Sequence, residues 1–220
     1  MKRSFMMIPV VVLAALPASA QLGGLSSKPK VSGGGATPQE VDKFLKDAVQ
    51  ADALVQQASL LLFNAVASKE EVAAIEAKIK AAKAIDDPKE REAKVREWEA
   101  DVKTKLAKVD FDKAAEKLKA EKNAEKNESI RSSLWNMALG GLKDADLVNS
   151  GKRMTSGPPS PEVADRIPAV KEAIEKLASQ GEGVTKILGR AKSLMATVGL
   201  QSLPTSASEK PTIKDLPGSS

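Results

Sequence analysis

What most constrains this 220-residue chain is an apolar stripe that begins abruptly at Val41 and keeps helical spacing for four heptads. Val41, Phe44, Ala48, Ala51, Val55, Ala58, Leu62 and Ala65 follow alternating steps of three and four, which puts them on one face of a helix. Leu45, Leu54 and Leu61 widen that face, and its many Ala residues let a partner helix approach closely. Just before it, Thr37-Pro38-Gln39-Glu40 supplies an N-cap Thr, Pro at the first helical position and Glu at the third. That is a capping box with a favourable Pro. The spacing predicts a helix over about Pro38 to Ala67. Nothing in the chain alternates with period two for long enough to read as a strand. The expectation is an all-α fold, an elongated bundle of five to seven amphipathic helices.

The rest of the chain carries the same signals. Ser68-Lys69-Glu70-Glu71 is a second capping box, followed by Val72, Ile75, Ile79 and Ala82 on one face. Asp87-Pro88 ends that helix and caps a third, whose stripe is Val95, Trp98, Val102, Leu106 and Val109. Asp110 caps a segment from Phe111 to about Ala124. A helix over Ile130 to Val148 contains Gly140-Gly141, costly by about 1 kcal/mol per Gly unless a neighbour packs very closely there. Asn149 to Pro159 reads as a loop. Ser160-Pro161 is expected to cap the next helix, whose stripe is Val163, Ile167, Val170, Ile174 and Leu177, with Pro168 implying a kink or a late start near Ile167. Gln180-Gly181-Glu182-Gly183 reads as a tight turn before a last helix, Val184 to Val198, with Gly199 at its C′ position. Helices one and two, and the last pair, are expected to form antiparallel hairpins. In domain terms, 37–199 is a helical domain between a linker at 21–36 and a disordered tail at 200–220.

Residues 1–20 have the three parts of a secretory signal peptide. Lys2 and Arg3 form a positive start, Phe5 to Leu16 is apolar except for Pro9, and Ala18-Ser19-Ala20 fits a cleavage site. The run is well short of the ~20 apolar residues a bilayer span needs. The expectation is export through a Sec-type signal cleaved after Ala20, with periplasmic or secreted residence and no transmembrane span afterwards. Cleavage removes Lys2 and Arg3, lowering the net charge from +5 to +3. The isoelectric point near 9.2 overstates basicity. Without His, Cys or Tyr, almost nothing titrates between the carboxylates and the lysines.

Those three absences also delete function classes. No Ser-His-Asp triad, imidazole metal ligand, thiolate nucleophile, disulfide or zinc finger can form. The Gly-rich stretches lack the Gly-Lys-Ser/Thr of a phosphate loop, and Asp144 and Asp146 lack the rest of an EF-hand loop. Glu40, Asp42, Asp47 and Asp52 lie off the helix-one seam and read as solvated surface. No catalytic, cofactor-binding or metal-ligating residue is assigned, and no cofactor is expected. Between Lys69 and Arg131, 17 basic residues face 16 acidic ones, so this dense region is nearly neutral. Pairs such as Glu76–Lys80, Glu90–Lys94 and Glu99–Lys103 mark a solvated helical face or a projecting hairpin. Trp98 lies on its helix stripe and reads as core. Trp135 flanks its stripe and is the better partner contact. Lys186 and Arg190 share a helix face and form the candidate contact with an anionic lipid or envelope polymer. Nucleic-acid binding is not expected from so mild a charge with so few aromatics.

In composition, a basic, helical, signal-bearing chain with long charged helices resembles periplasmic holdase chaperones of the Skp type; no residue role is carried over. The expectation is an exported, non-enzymatic helical protein of the bacterial envelope. It would act as a scaffold or chaperone-like module, through contacts with another envelope protein or by self-association. The alternative is a helical carrier for an apolar or anionic small ligand or lipid, which needs an enclosed apolar pocket.

Overall fold

The computed structural model describes residues 36–212. The expected signal peptide at 1–20, the linker up to residue 35 and positions 213–220 of the expected tail lie outside the described residues. The fold is all-α. Its helices are α1 (Pro38–Val66), α2 (Lys69–Lys83), α3 (Pro88–Leu106), α4 (Phe111–Glu121), α5 (Ala124–Met154), α6 (Ile167–Arg190) and α7 (Lys192–Thr197). A 3-10 turn at Ala164–Arg166 leads into α6. There is no strand among the described residues, and no helix there is long and apolar enough to cross a membrane.

Local sequence sets the helix starts. Thr37 accepts from the Glu40 N–H at 3.3 Å while Glu40 Oε2 accepts from the Thr37 N–H at 2.8 Å. Ser68 and Glu71 repeat this arrangement at the start of α2. Asp87 and Asp110 cap α3 and α4 through the N–H groups of Glu90 and Lys113. Each such cap contributes about 1 kcal/mol. Gly199 follows α7 with φ +70°, the left-handed conformation that favours Gly at C′.

Packing then selects the partners. α1 and α6 both lie antiparallel against α5, and these three long helices form the frame of the molecule. The Gly140-Gly141 pair explains how. A methyl at Gly140 would overlap Val55 Cγ2 of α1, and one at Gly141 would lie 3.0 Å from Val184 Cγ1 of α6. The helix does not break there. Close approach on both sides offsets the cost of the glycines. The α2–α3 pair is an antiparallel hairpin docked on the frame through Ile75, Val102 and Leu106, all buried in the main core. Ion pairs run across it: Lys78–Asp101 at 2.5 Å, Lys78–Glu97 at 3.7 Å and Lys105–Glu71 at 3.4 Å. α4 packs against α7 at one end of the frame.

Several expectations from sequence are corrected. The main partner of α1 is α5, and α2 pairs with α3, so helices one and two are not the hairpin. Gln180 to Gly183 is not a turn; α6 runs through it to Arg190. Leu177, Val184 and Ile187 remain buried along one face, and that burial outweighs the weak helix propensity of two glycines. The chain bends instead at Ala191. α5 extends from Ala124 to Met154, beyond both expected ends. Asn123 caps its start, and Gly151 lies where any side chain would collide with Phe44 and Ile174. The late start of α6 at Ile167 agrees with Pro168, and Ser160-Pro161 does not cap the helix, because a 3-10 turn at Ala164–Arg166 lies between them and α6 has no side-chain cap. Finally, the described part of the tail, 200–212, has no helix or strand, yet it is tied to α5.

Candidate functional site

Two places in the frame carry chemistry that a simple packed bundle does not need. The first is a polar group of side chains that reaches from the inside of the bundle to its surface, where Lys176 is exposed. It lies between the apolar layer of Ala48, Ala51 and Leu177 and the larger core that begins at Val55 and Val184. α1 contributes Asp52, α3 contributes Glu99, α5 contributes Asp144, and α6 contributes Lys176 and Gln180. Asp52 Oδ2 accepts from Lys176 Nζ at 2.5 Å and from Gln56 Nε2 at 2.8 Å, while Asp52 Oδ1 is buried with no hydrogen bond. Asp144 is 1% exposed and neither of its carboxylate oxygens is hydrogen-bonded. The Gln180 amide faces it, but its buried Nε2 closes no hydrogen bond to it.

Burial raises both inner carboxyls. Asp144 is pushed up to about 7, chiefly by loss of hydration and then by the charge of Asp52, with Gln180 pulling weakly the other way. Glu99, partly buried, is also pushed up to about 7, by burial first and Asp52 second, against the opposing charges of Lys176 and Arg96. An ionised carboxylate without donors inside a bundle is costly, so the group holds its proton instead. The arrangement can therefore take up and release protons near neutrality. Among the described residues, no group of three or more acidic side chains is placed to hold a metal ion.

The second place is the face of α5 that receives the C-terminal segment, here called the strap (201–212). Asn136 is fully buried and grips Thr212 with both ends of its amide. Its Nδ2 donates to Thr212 Oγ1 at 2.7 Å, and its Oδ1 accepts the Thr212 N–H at 2.9 Å. Ser132 Oγ adds a contact to the same hydroxyl at 2.8 Å. Two helical turns on, Lys143 Nζ donates to the Ala207 carbonyl at 2.8 Å. The strap thus runs antiparallel to α5. Pro204 is buried, and Glu209 closes a local turn by accepting from the Thr205 and Ser206 N–H groups at 2.7 and 3.0 Å. The Asn136 amide thus satisfies one main-chain N–H and one hydroxyl of a strap that turns at 207–209 and bends at Thr212.

The residues singled out from sequence are not brought together. Trp135 is half-buried beside Asn136, and its Nε1 is buried without a hydrogen bond. Lys186 is exposed on α6. Arg190, on the same helix, is committed internally. It donates to the carbonyls of Ala107 and, at 2.6 Å, Val109, and lies over the Phe111 ring at 5.6 Å. It thereby ties the end of α6 to the α3–α4 junction. A depression of about 450 Å³ opens beside it and is lined by Lys108, Asp110, Phe111 and Asp112 among others. It is a mixed-charge surface hollow. Trp98 packs on the main core from a half-buried position. Asp52 departs from its reading as solvated surface, and Glu99 from its expected i, i+4 surface pair; both turn inward. The heptad spacing held a faint signal for Asp52, which sits directly beside the seam residue Ala51. Asp144, Asn136 and the strap had none.

No family model, no curated protein and no solved structure matches the chain.

Proposed function

We propose that this chain is an exported, non-enzymatic helical protein of the bacterial envelope that works through protein–protein contacts, as a scaffold or chaperone-like module. The observation that supports this reading most is the α5 face: Ser132, Asn136 and Lys143 hold a looped segment through one main-chain N–H, one main-chain carbonyl and a single hydroxyl. Recognition of this kind reads a peptide backbone, which suits a protein partner. The half-buried indole of Trp135 beside it is the kind of rigid amphipathic anchor that concentrates binding energy at interfaces. Periplasmic residence rests on the leader-like segment, Met1 to Ala20.

A photo-crosslinking residue at Trp135 in the full chain, expressed in whole cells, tests the reading. The expected outcome is a discrete adduct that weakens when Asn136 is changed to Ala. The adduct should contain a mature chain whose first residue by mass is Gln21. Absence of any adduct, together with a strictly monomeric chain in light scattering, would overturn it.

A further inference from the structure

We propose that the strap is exchanged between copies: the 201–212 segment of one chain leaves its own α5 and seats on α5 of a second copy, which makes this face a self-association site. This rests on the reading of the α5 face as a surface that takes a protein segment, and it names a second copy of this chain as the partner.

The face is built to be covered. Ser132, Asn136, Leu139 and Lys143 are spaced by four, three and four residues, so they line one stripe of α5. Asn136 and Leu139 are both fully buried. Leu139 lies between the two anchor points of the strap, Thr212 on Asn136 and Ala207 on Lys143. It also lies outside the apolar clusters that hold the frame together. Lifting the strap would open the stripe between the anchors to water and uncover this leucine, so the stripe favours an occupant at all times.

The strap itself is lightly held. It has no helix or strand, and Pro204 is its single buried residue. Gln201 and Ser202, which join it to the helix end at Gly199, are exposed. Its ties to α5 are the side-chain bonds from Ser132, Asn136 and Lys143. What these side chains read is the Ala207 carbonyl, the Thr212 N–H and the Thr212 hydroxyl. A second copy presents the same three groups in the same order. Reciprocal exchange remakes every one of these contacts, so they neither favour nor oppose it. The chain changes course at the exposed joint, and protein concentration sets the balance between closed and exchanged forms.

The chain has no Cys. The Ser132 and Thr212 hydroxyl oxygens lie 2.8 Å apart, within reach of a disulfide once both positions carry Cys. Full chains bearing Ser132→Cys alone and Thr212→Cys alone are mixed, concentrated and gently oxidised. The expected product is a disulfide dimer holding one of each. It should be at least about tenfold more abundant than the dimer from Lys186→Cys mixed with Thr212→Cys, because a seated pair meets at a far higher effective concentration than two free surfaces. Light scattering of the unmodified chain should show a dimer that grows with concentration. The double variant Ser132→Cys/Thr212→Cys, oxidised while dilute so that the bond closes within one chain, should stay monomeric at those concentrations and dimerise once reduced. A mixed disulfide no more abundant than in the control, an unmodified chain that is monomeric throughout, or a locked chain that dimerises as readily as the reduced one would each overturn the proposal. In that case a Trp135 adduct to a different protein would still support the partner-binding reading, with an occupant other than a second copy.

Discussion

Asp144 is a carboxylic acid placed where a hydrocarbon would be expected. It is 1% exposed and its oxygens are without hydrogen bonds, so its ionised form is strongly penalised. Its folded-state value near 7 lies above that of an unfolded Asp. The stability tied to this proton is therefore fully present below about pH 4, declines as pH rises, and is gone above about pH 7. Asp144→Asn should stabilise the protein by a few kcal/mol at pH 8 and have little effect at pH 4. Urea titrations of both proteins at the two pH values check this, and an equal difference at both would contradict it. The capping residues behave oppositely, because their contribution is local. Ser68→Ala should cost about 1 kcal/mol in the same titrations. The difference between these residues also marks what sequence reveals. Thr37, Ser68, Asp87 and Asp110 announce themselves within four residues. The inward turn of Asp52, Glu99 and Asp144 depends on which helices meet there, so no local pattern encodes it.

Among the helices, glycine is the informative case. In α6, Gly181 has ordinary helical geometry, and a methyl there would sit 4.0 Å from Asp144 Cβ, an ordinary contact. Gly181→Ala should raise stability by up to about 1 kcal/mol. Were the segment a turn, the same change would destabilise, so a thermal melt separates the two. Gly140→Ala should instead lower stability by about 1–3 kcal/mol, because Val55 occupies the space. The sequence pattern around 180–183 resembles a turn because glycine propensity is read over a few residues. The register of Leu177, Val184 and Ile187 spans the interruption, and its weight comes from α5, which lies far away in the chain. The same cause hid the true length of α5. Gly151 looks like a loop residue until Phe44 and Ile174 are seen against it.

At the scale of the whole molecule, the strap makes the last described stretch of chain part of the α5 surface. Asn136→Ala removes its two bonds to Thr212 and leaves Ser132 and Lys143 as the remaining side-chain ties. Main-chain protection of 205–212 should then fall by about tenfold or more, while protection in α5 is retained. Loss of protection in both at once would mean that Asn136 supports the bundle itself. The helical class and most of the apolar stripes were legible because periodicity is a property of the chain. The partner choice, α1 with α5 and α2 with α3, was not, since every amphipathic face is compatible with several others. The strap lacks any period, and its anchoring relies on side chains about 70 residues upstream.

The Val55–Gly140 contact joins positions 85 residues apart, and this separation bears on the order of events as the chain emerges. α1 is made first, yet the surface that covers its stripe does not exist until α5 has followed. By contrast, α2 and α3 find each other across a turn at Ala84–Asp87 and need no later segment. Loop closure favours the short-range hairpin in time as well. Pulse-labelled refolding should therefore show protection in 69–106 before protection in 38–66; the reverse order would refute it. As the chain emerges, the consequence is a period in which the apolar edge of α1 is exposed to whatever is nearby.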